Sequence, residues 1–392
     1  IDAHYALGRA YLPTASYLEM STWALPAAGA AELPGANAEL TRSIQTADVV
    51  EPPSAERLRT AQRYLRGGLW RNFLVKYPEV NHMQKRGVYV GRRVHALPAG
   101  ETKRAALRHL WAAQCNCAYW HGLFGGIYLF HIRAANYANL LAAHAATLND
   151  TVEVETLDFD MDTRDELLIN AAPFSLVVDL PRGGALIEWD DLPSGYNLLN
   201  VMTRHQEGYH LQFAEAIAQN NVITPEDPDW EAPGIEHIRA KEPGLDRSLV
   251  VDQHRRGTLV DHFFDAYLTL DAYSRADYVE RGDFVGGAYD AAIHGAGTAC
   301  ATVTLSREGH VQYNGAWHPL TIEKTLTINA GERVLPVMYT LTNTGDAVLD
   351  LHFGVEAAFG FDGGDSHYCY FEWTDDDGDT ISEHLGHNGA HT

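Results

Sequence analysis

Lysine is almost missing from this chain. Only Lys76, Lys85, Lys103, Lys241 and Lys324 occur among its 392 residues, so arginine carries most of the positive charge, and the formal net charge is −23. So acidic a surface repels phosphate backbones and anionic headgroups, which argues against nucleic acid and anionic membrane as partners. Apolar runs are short as well. None reaches the ~20 residues of a membrane-crossing helix, and Ile1-Asp2-Ala3-His4 has neither the basic start nor the apolar core of a signal peptide. Cysteine is scarce too. Cys115, Cys117, Cys300 and Cys369 are too few and too scattered for a disulfide scaffold, although a Cys300–Cys369 pairing stays open. The expectation is a reducing, cytoplasmic setting. Two explanations fit the lysine-poor acidity equally: adaptation to high salt, which screens self-repulsion, and a codon bias toward Ala, Arg, Gly and Asp.

What is present has length for two or three cores. Residues 1–30 read as a short strand, ended by Pro13, and then a loop closed by Pro26. Ala27 through Ala38 is small and punctuated by Gly and Pro, a loop signature. Helices are expected over 55–65, around Trp70, Phe73 and Leu74, over 81–93, and over 136–148, with a further one ending near residue 121. Asn81, His82 and Lys85 share a face of the 81–93 helix and read as solvated surface. After Asp150 the texture changes to alternating and β-branched runs. Asn314-Gly315 is the pair favoured in a two-residue hairpin turn, and strands follow over 320–328, 334–341 and 348–355. Strands at this spacing predict an antiparallel β-sandwich.

The chemically densest stretch is Gln114-Cys115-Asn116-Cys117-Ala118-Tyr119-Trp120-His121-Gly122. Leu107, Leu110, Trp111, Cys115 and Ala118 recur at helical steps ahead of it. If the helix runs on, Asn116, Cys117, Trp120 and His121 share one face while Cys115 and Tyr119 point away. Cys115 and Cys117 then neither bridge nor clasp a metal together. An amide, a thiol, an indole and an imidazole on one face are costly to bury without polar company, which makes that face a binding surface.

Ala113 through Gly122 resembles the last signature region of glycoside hydrolase family 57, the α-amylases and 4-α-glucanotransferases. Tyr11-Leu12-Pro13, Ala15 through Ser21 and Trp23-Ala24-Leu25-Pro26 are similar to the end of that family's catalytic barrel. Arg66 through Glu79 is similar to its following helical segment, and the chain from Thr151 onward to its C-terminal β-domain. The resemblance implies an α+β multidomain chain: the C-terminal end of a (β/α) barrel in 1–30, a helical bundle segment closing the active-site cleft in 31–150, and an incomplete, truncated β-sandwich in 151–392. It implies retaining cleavage or transfer on α-1,4-glucans such as starch, glycogen or maltooligosaccharides. The family's glutamate nucleophile and aspartate acid/base lie in segments ahead of those matched here, so no catalytic residue is assigned. A retaining pair stands roughly 5–5.5 Å apart, and no carboxylate of this chain takes either role by motif.

By the same resemblance the substrate-binding residues are Trp120, His121, Asn116, Cys117 and Gln114. Trp120 stacks on a glucose ring, His121 and Asn116 bond hydroxyls, and Gln114 orients the helix. Cys117 departs from the family, some members of which carry Asp there. Glu19 and Trp23 join the list as a hydroxyl-binding carboxylate and a stacking indole at the barrel mouth; their plain alternatives are a cap and a core residue. Asp158, Asp160, Asp162, Asp165 and Glu166 have calcium-loop spacing, but Thr163 and Arg164 stand where such a loop turns on glycine. That cluster and Asp375 through Asp379 read as solvated turns, so no metal and no cofactor is assigned. A homodimer stays open. The second functional reading is a non-catalytic glucan-binding or structural module, which a start inside a barrel and a stop inside a sandwich make less apt than a fragment.

Overall fold

The computed structural model describes residues 18–47, 65–121, 125–228, 230, 238–361, 370–374 and 378–384. The expected strand near Pro13, residues 55–64 of the expected 55–65 helix and Asp375 through Asp377 lie outside them. The chain divides into two compact units, one drawn from 1–78, 120–124 and 206–249, the other from 79–119, 125–205 and 250–392.

The first unit is mainly helical. Leu18–Trp23, Ala27–Ala47, Trp70–Lys76 and Gly208–Ala218 are its α-helices, with a small parallel pair, Val222–Ile223 on Ile238–Arg239. The expected loop over 27–38 is instead the start of a 21-residue helix with Pro34 inside it. Alanine is the strongest helix former, and this helix packs along Gly208–Ala218, so tertiary contact outweighs the breakers. Gly208 makes that approach close, since a Cβ there would meet Ala30 Cβ at 3.0 Å and Ala31 N at 3.1 Å. Gly68 N donates to Ser21 O at 2.7 Å, lashing the 65–69 segment to the Leu18–Trp23 helix.

In the second unit a seven-stranded antiparallel sheet runs in the order Glu153–Leu157, Glu166–Ala171, Phe174–Asp179, Ala185–Asp191, Thr258–Phe264, His352–Ala357, with Tyr196–Asn197 paired to Ala185–Asp191. Glu166–Ala171 and Phe174–Asp179 are buried along their whole length, because both faces are covered. Leu168, Val177 and Ile187 pack with Met83, Val90, Val94, Ala106, Leu110 and Leu140 of the helices Pro78–Ala96, Glu101–Ala112 and Phe130–Ala145. The alternate residues Leu167, Ile169, Leu176, Val178 and Leu186 meet Val303, Leu305, Ile322 and Leu326 of a four-stranded sheet. That sheet orders Val337–Asn343, Ala316–Asn329, Cys300–Tyr313 and Asp290–His294. Tyr313 pairs with Ala316 across Asn314-Gly315, both at positive φ (49° and 80°), as the dipeptide predicts.

The Pro78–Ala96 helix is longer than expected, and its His82 face is not solvated. His82 is buried and bonds Glu188 at 2.7 Å, while Arg86, with no exposed surface, reaches Glu188 Oε1 at 2.8 Å and Asp190 Oδ2 at 2.7 Å. Asn81 Nδ2 donates to Asp160 O at 2.7 Å. Burial and the neighbouring Glu188 push the Asp190 carboxyl well above its usual range. His82 and Arg86 thus form a charged seam between helix and sheet, while half-buried Lys85 bonds Asn81 and Gln84 of its own helix.

Candidate functional site

The helix expected to run through Trp120 stops early. Glu101–Ala112 ends in a turn, Asn116–Tyr119 forms a single 3-10 turn, and Trp120 and His121 follow outside any helix. The single-face expectation therefore fails. Gln114, Asn116 and Cys117 are exposed parts of the second unit, whereas Trp120 and His121 belong to the first. Gln114 Nε2 donates back to Leu110 O at 3.3 Å, and Asn136 Nδ2 holds Cys115 O at 3.0 Å. Tyr119 is half-buried and donates to Ala113 O at 2.9 Å, its phenol pushed up by burial. Cys115, Cys117 and Cys300 are exposed free thiols.

What the first unit does assemble is a run of aromatic rings. Trp23, at the end of the Leu18–Trp23 helix, stacks on His121 with centroids 4.9 Å apart and meets Trp120 at 5.7 Å. His121 in turn takes the edge of Tyr209 at 6.0 Å, and Tyr209 that of His210 at 4.5 Å. His121 is 7% exposed and Tyr209 46%; the two indoles are half-buried. Trp23, Trp120 and His121, expected from separate stretches of the sequence, are thus neighbours. Glu19 sits in the same helix as Trp23; its side chain lies outside the described residues.

Beneath the rings is a carboxylate that the sequence did not single out. Glu207 is 2% exposed and N-caps the Gly208–Ala218 helix in a capping box, its own N–H donating to His210 Nδ1 at 3.1 Å. It accepts from Lys76 Nζ at 2.8 Å and from the Tyr77 hydroxyl. Lys76 also donates to the Trp23 main-chain O at 3.2 Å, which links the carboxylate to the backbone that carries the indole. Burial and then the Glu207 charge push the Tyr209 phenol up to about 12. Burial lowers His210, against the pull of Glu207, so its imidazole favours the neutral form. Two signals were legible: one of five lysines stands beside Tyr77-Pro78, and Glu207-Gly208-Tyr209-His210 packs four special residues together.

A second polar cluster lies on the sheet of the other unit. His262 donates from Nδ1 to Glu280 at 2.7 Å and from Nε2 to Glu356 at 3.2 Å, and His254 reaches Glu356 at 2.8 Å. Burial opposes a charge on His262, but these two carboxylates outweigh it and raise the imidazole to about 9. The pairs satisfy one another, so the cluster needs no metal ion. Among the described residues no helix is long and apolar enough to cross a membrane.

Comparison with known proteins identifies the family of the chain. Residues 158–388 match the α-amylase/4-α-glucanotransferase C-terminal domain, and 68–147 match the middle domain of the same proteins. The chain is 33% identical to α-amylase 1 of Dictyoglomus thermophilum over 90% of its own length and 47% of the relative's. It is 36% identical to a 4-α-glucanotransferase of Thermococcus kodakarensis over 89% of this chain and 47% of that one. The crystal structure of the 4-α-glucanotransferase from Thermococcus litoralis superposes with a TM-score of 0.70 at 30% identity, covering 93% of this chain and 48% of that one. The chain thus spans about half the length of the relatives it matches. It belongs to the α-amylase/4-α-glucanotransferase family.

Proposed function

We propose that this chain supplies a substrate-binding wall and the β-domain of a retaining enzyme that cleaves or transfers α-1,4-glucans. The ring stack of Trp23, Trp120, His121 and Tyr209 carries the proposal. Indole faces match the C–H faces of glucose, and an imidazole beside them can bond the hydroxyls at the ring edge. Lys76 and Glu207 hold the platform in place, and Glu19 shares the helix that presents Trp23. The relatives named as α-amylases and 4-α-glucanotransferases support the substrate class. No Asp or Glu of the chain is given the nucleophile or acid role, so hydrolysis and transfer are not distinguished. The two sheets sharing one apolar core support a sandwich over most of 151–392, and the exposed free thiols support a reducing compartment.

The test is a titration of the 392-residue chain with maltoheptaose beside a thermal melt. Trp120→Ala is expected to weaken binding on the order of tenfold with little loss of stability. Unchanged binding would end the proposal. So would a variant that melts far below the parent, since that marks Trp120 as a core residue.

A further inference from the structure

The turn from Glu153–Leu157 to Glu166–Ala171 was expected to be solvated; Met161, Thr163, Arg164 and Asp165 are exposed, but Asp160 and Glu166 are buried. Glu166 has no exposed surface, and Asp160 is 8% exposed. One oxygen each from Asp158, Asp160 and Glu166 lie within 4.8 Å of one another. Glu166 Oε2 accepts from Phe159 N at 2.8 Å and Asp160 N at 3.2 Å. Its Oε1 is buried without a hydrogen-bond donor, and so is Asp160 Oδ1. Asp158 receives Asp162 N at 2.9 Å and Thr163 N at 3.2 Å, one on each oxygen, which fixes the carboxylate in place.

Two nearby cations, Arg182 and Lys85, are engaged elsewhere. Arg182 bonds Asp162 and, at 3.3 Å, Asp179, while Lys85 Nζ donates to Asn81 Oδ1 at 3.0 Å and Gln84 Oε1 at 2.9 Å. A buried carboxylate oxygen with no donor is costly to leave as it stands. It is relieved by a proton or by a cation.

We propose that Asp158, Asp160 and Glu166 bind a calcium ion. The donors are all oxygens, which select a hard cation. Three clustered carboxylates suit calcium, which accepts six to eight oxygens in flexible geometry; magnesium demands near-ideal octahedra and keeps its waters. The ion would pin the Asp160 turn, whose backbone carbonyl already receives Asn81, to the end of the Glu166–Ala171 strand.

The 392-residue chain, stripped with EGTA, is titrated with calcium against a fluorescent chelator and melted with saturating calcium or magnesium. Calcium is expected to raise the melting temperature by roughly 5 °C, and magnesium to do far less. Glu166→Gln keeps the side chain's size and should lose at least tenfold in calcium affinity, together with the thermal response. Asp158→Asn, at the half-buried rim, gives the same reading without altering a buried group. No measurable calcium binding by the parent chain, or full binding by both variants, overturns the site.

Discussion

Glu207 joins three parts of its unit: it caps one helix, receives Lys76 from another and accepts the Tyr77 hydroxyl. Lys76→Met would remove the Lys76 ammonium from that carboxylate, which is 2% exposed. Removing one member of a buried pair strands the other charge, so a loss of about 3 kcal/mol is expected, read by chemical denaturation. Replacing Glu207 by Gln in the same background should recover part of it. A Lys76→Met variant as stable as the parent would show that Glu207 does not depend on the pair. His262 makes the second prediction at this scale. Its pKa rises from 6.5 to about 9 on folding, so its contribution is complete below 6.5 and fades as pH climbs through 9. Stability should therefore fall between pH 7 and 9, by on the order of 3 kcal/mol at most. His262→Gln should flatten that slope, and an equal slope in the variant would rule the residue out as its source.

Elements in the first unit meet through backbone, not through bulk. A Cβ on Gly67 would sit 2.0 Å from Ser21 O, inside van der Waals contact with a main-chain atom that cannot rotate away. Gly67→Ala must therefore push the 65–69 segment off the Leu18–Trp23 helix, at a cost of about 1–3 kcal/mol. Because that helix ends in Trp23, maltoheptaose binding should weaken in the same variant. A melt and a titration unchanged from the parent would show the two segments free to part. In the second unit the elements are held by charge as well as by packing: Lys324, with no exposed surface, reaches Asp261 at 2.9 Å and the carbonyls of Gly183 and Leu259 at 2.8 and 2.6 Å. One of only five lysines is thus buried between strands.

For the whole molecule the governing quantity is the net charge of −23. The paired carboxylates above are buried and screened little by salt, but the remaining acidic surface repels itself. The melting temperature should climb between low and molar potassium chloride. A flat curve across that range leaves codon bias as the explanation for the composition.

Local chemistry settled part of this protein within its sequence. The Asn314-Gly315 hairpin follows from two residues that tolerate positive φ, and a helix over 81–93 from its spacing, though the structure extends it to Pro78–Ala96. The resemblance carried by 66–79 and 113–122 gave the family. Other features needed the folded chain. The Ala27–Ala47 helix survives Pro34 because another helix packs along it, and His82 is buried because a sheet lies over it. Trp120 and Asn116 part company because the helix stops at Ala112. Whether a polar side chain faces water or a partner depends on residues far away in the sequence, such as Glu188 for His82, Glu207 for Lys76 and Asp261 for Lys324. Periodicity carries no trace of those distant partners, so only the tertiary structure could decide them.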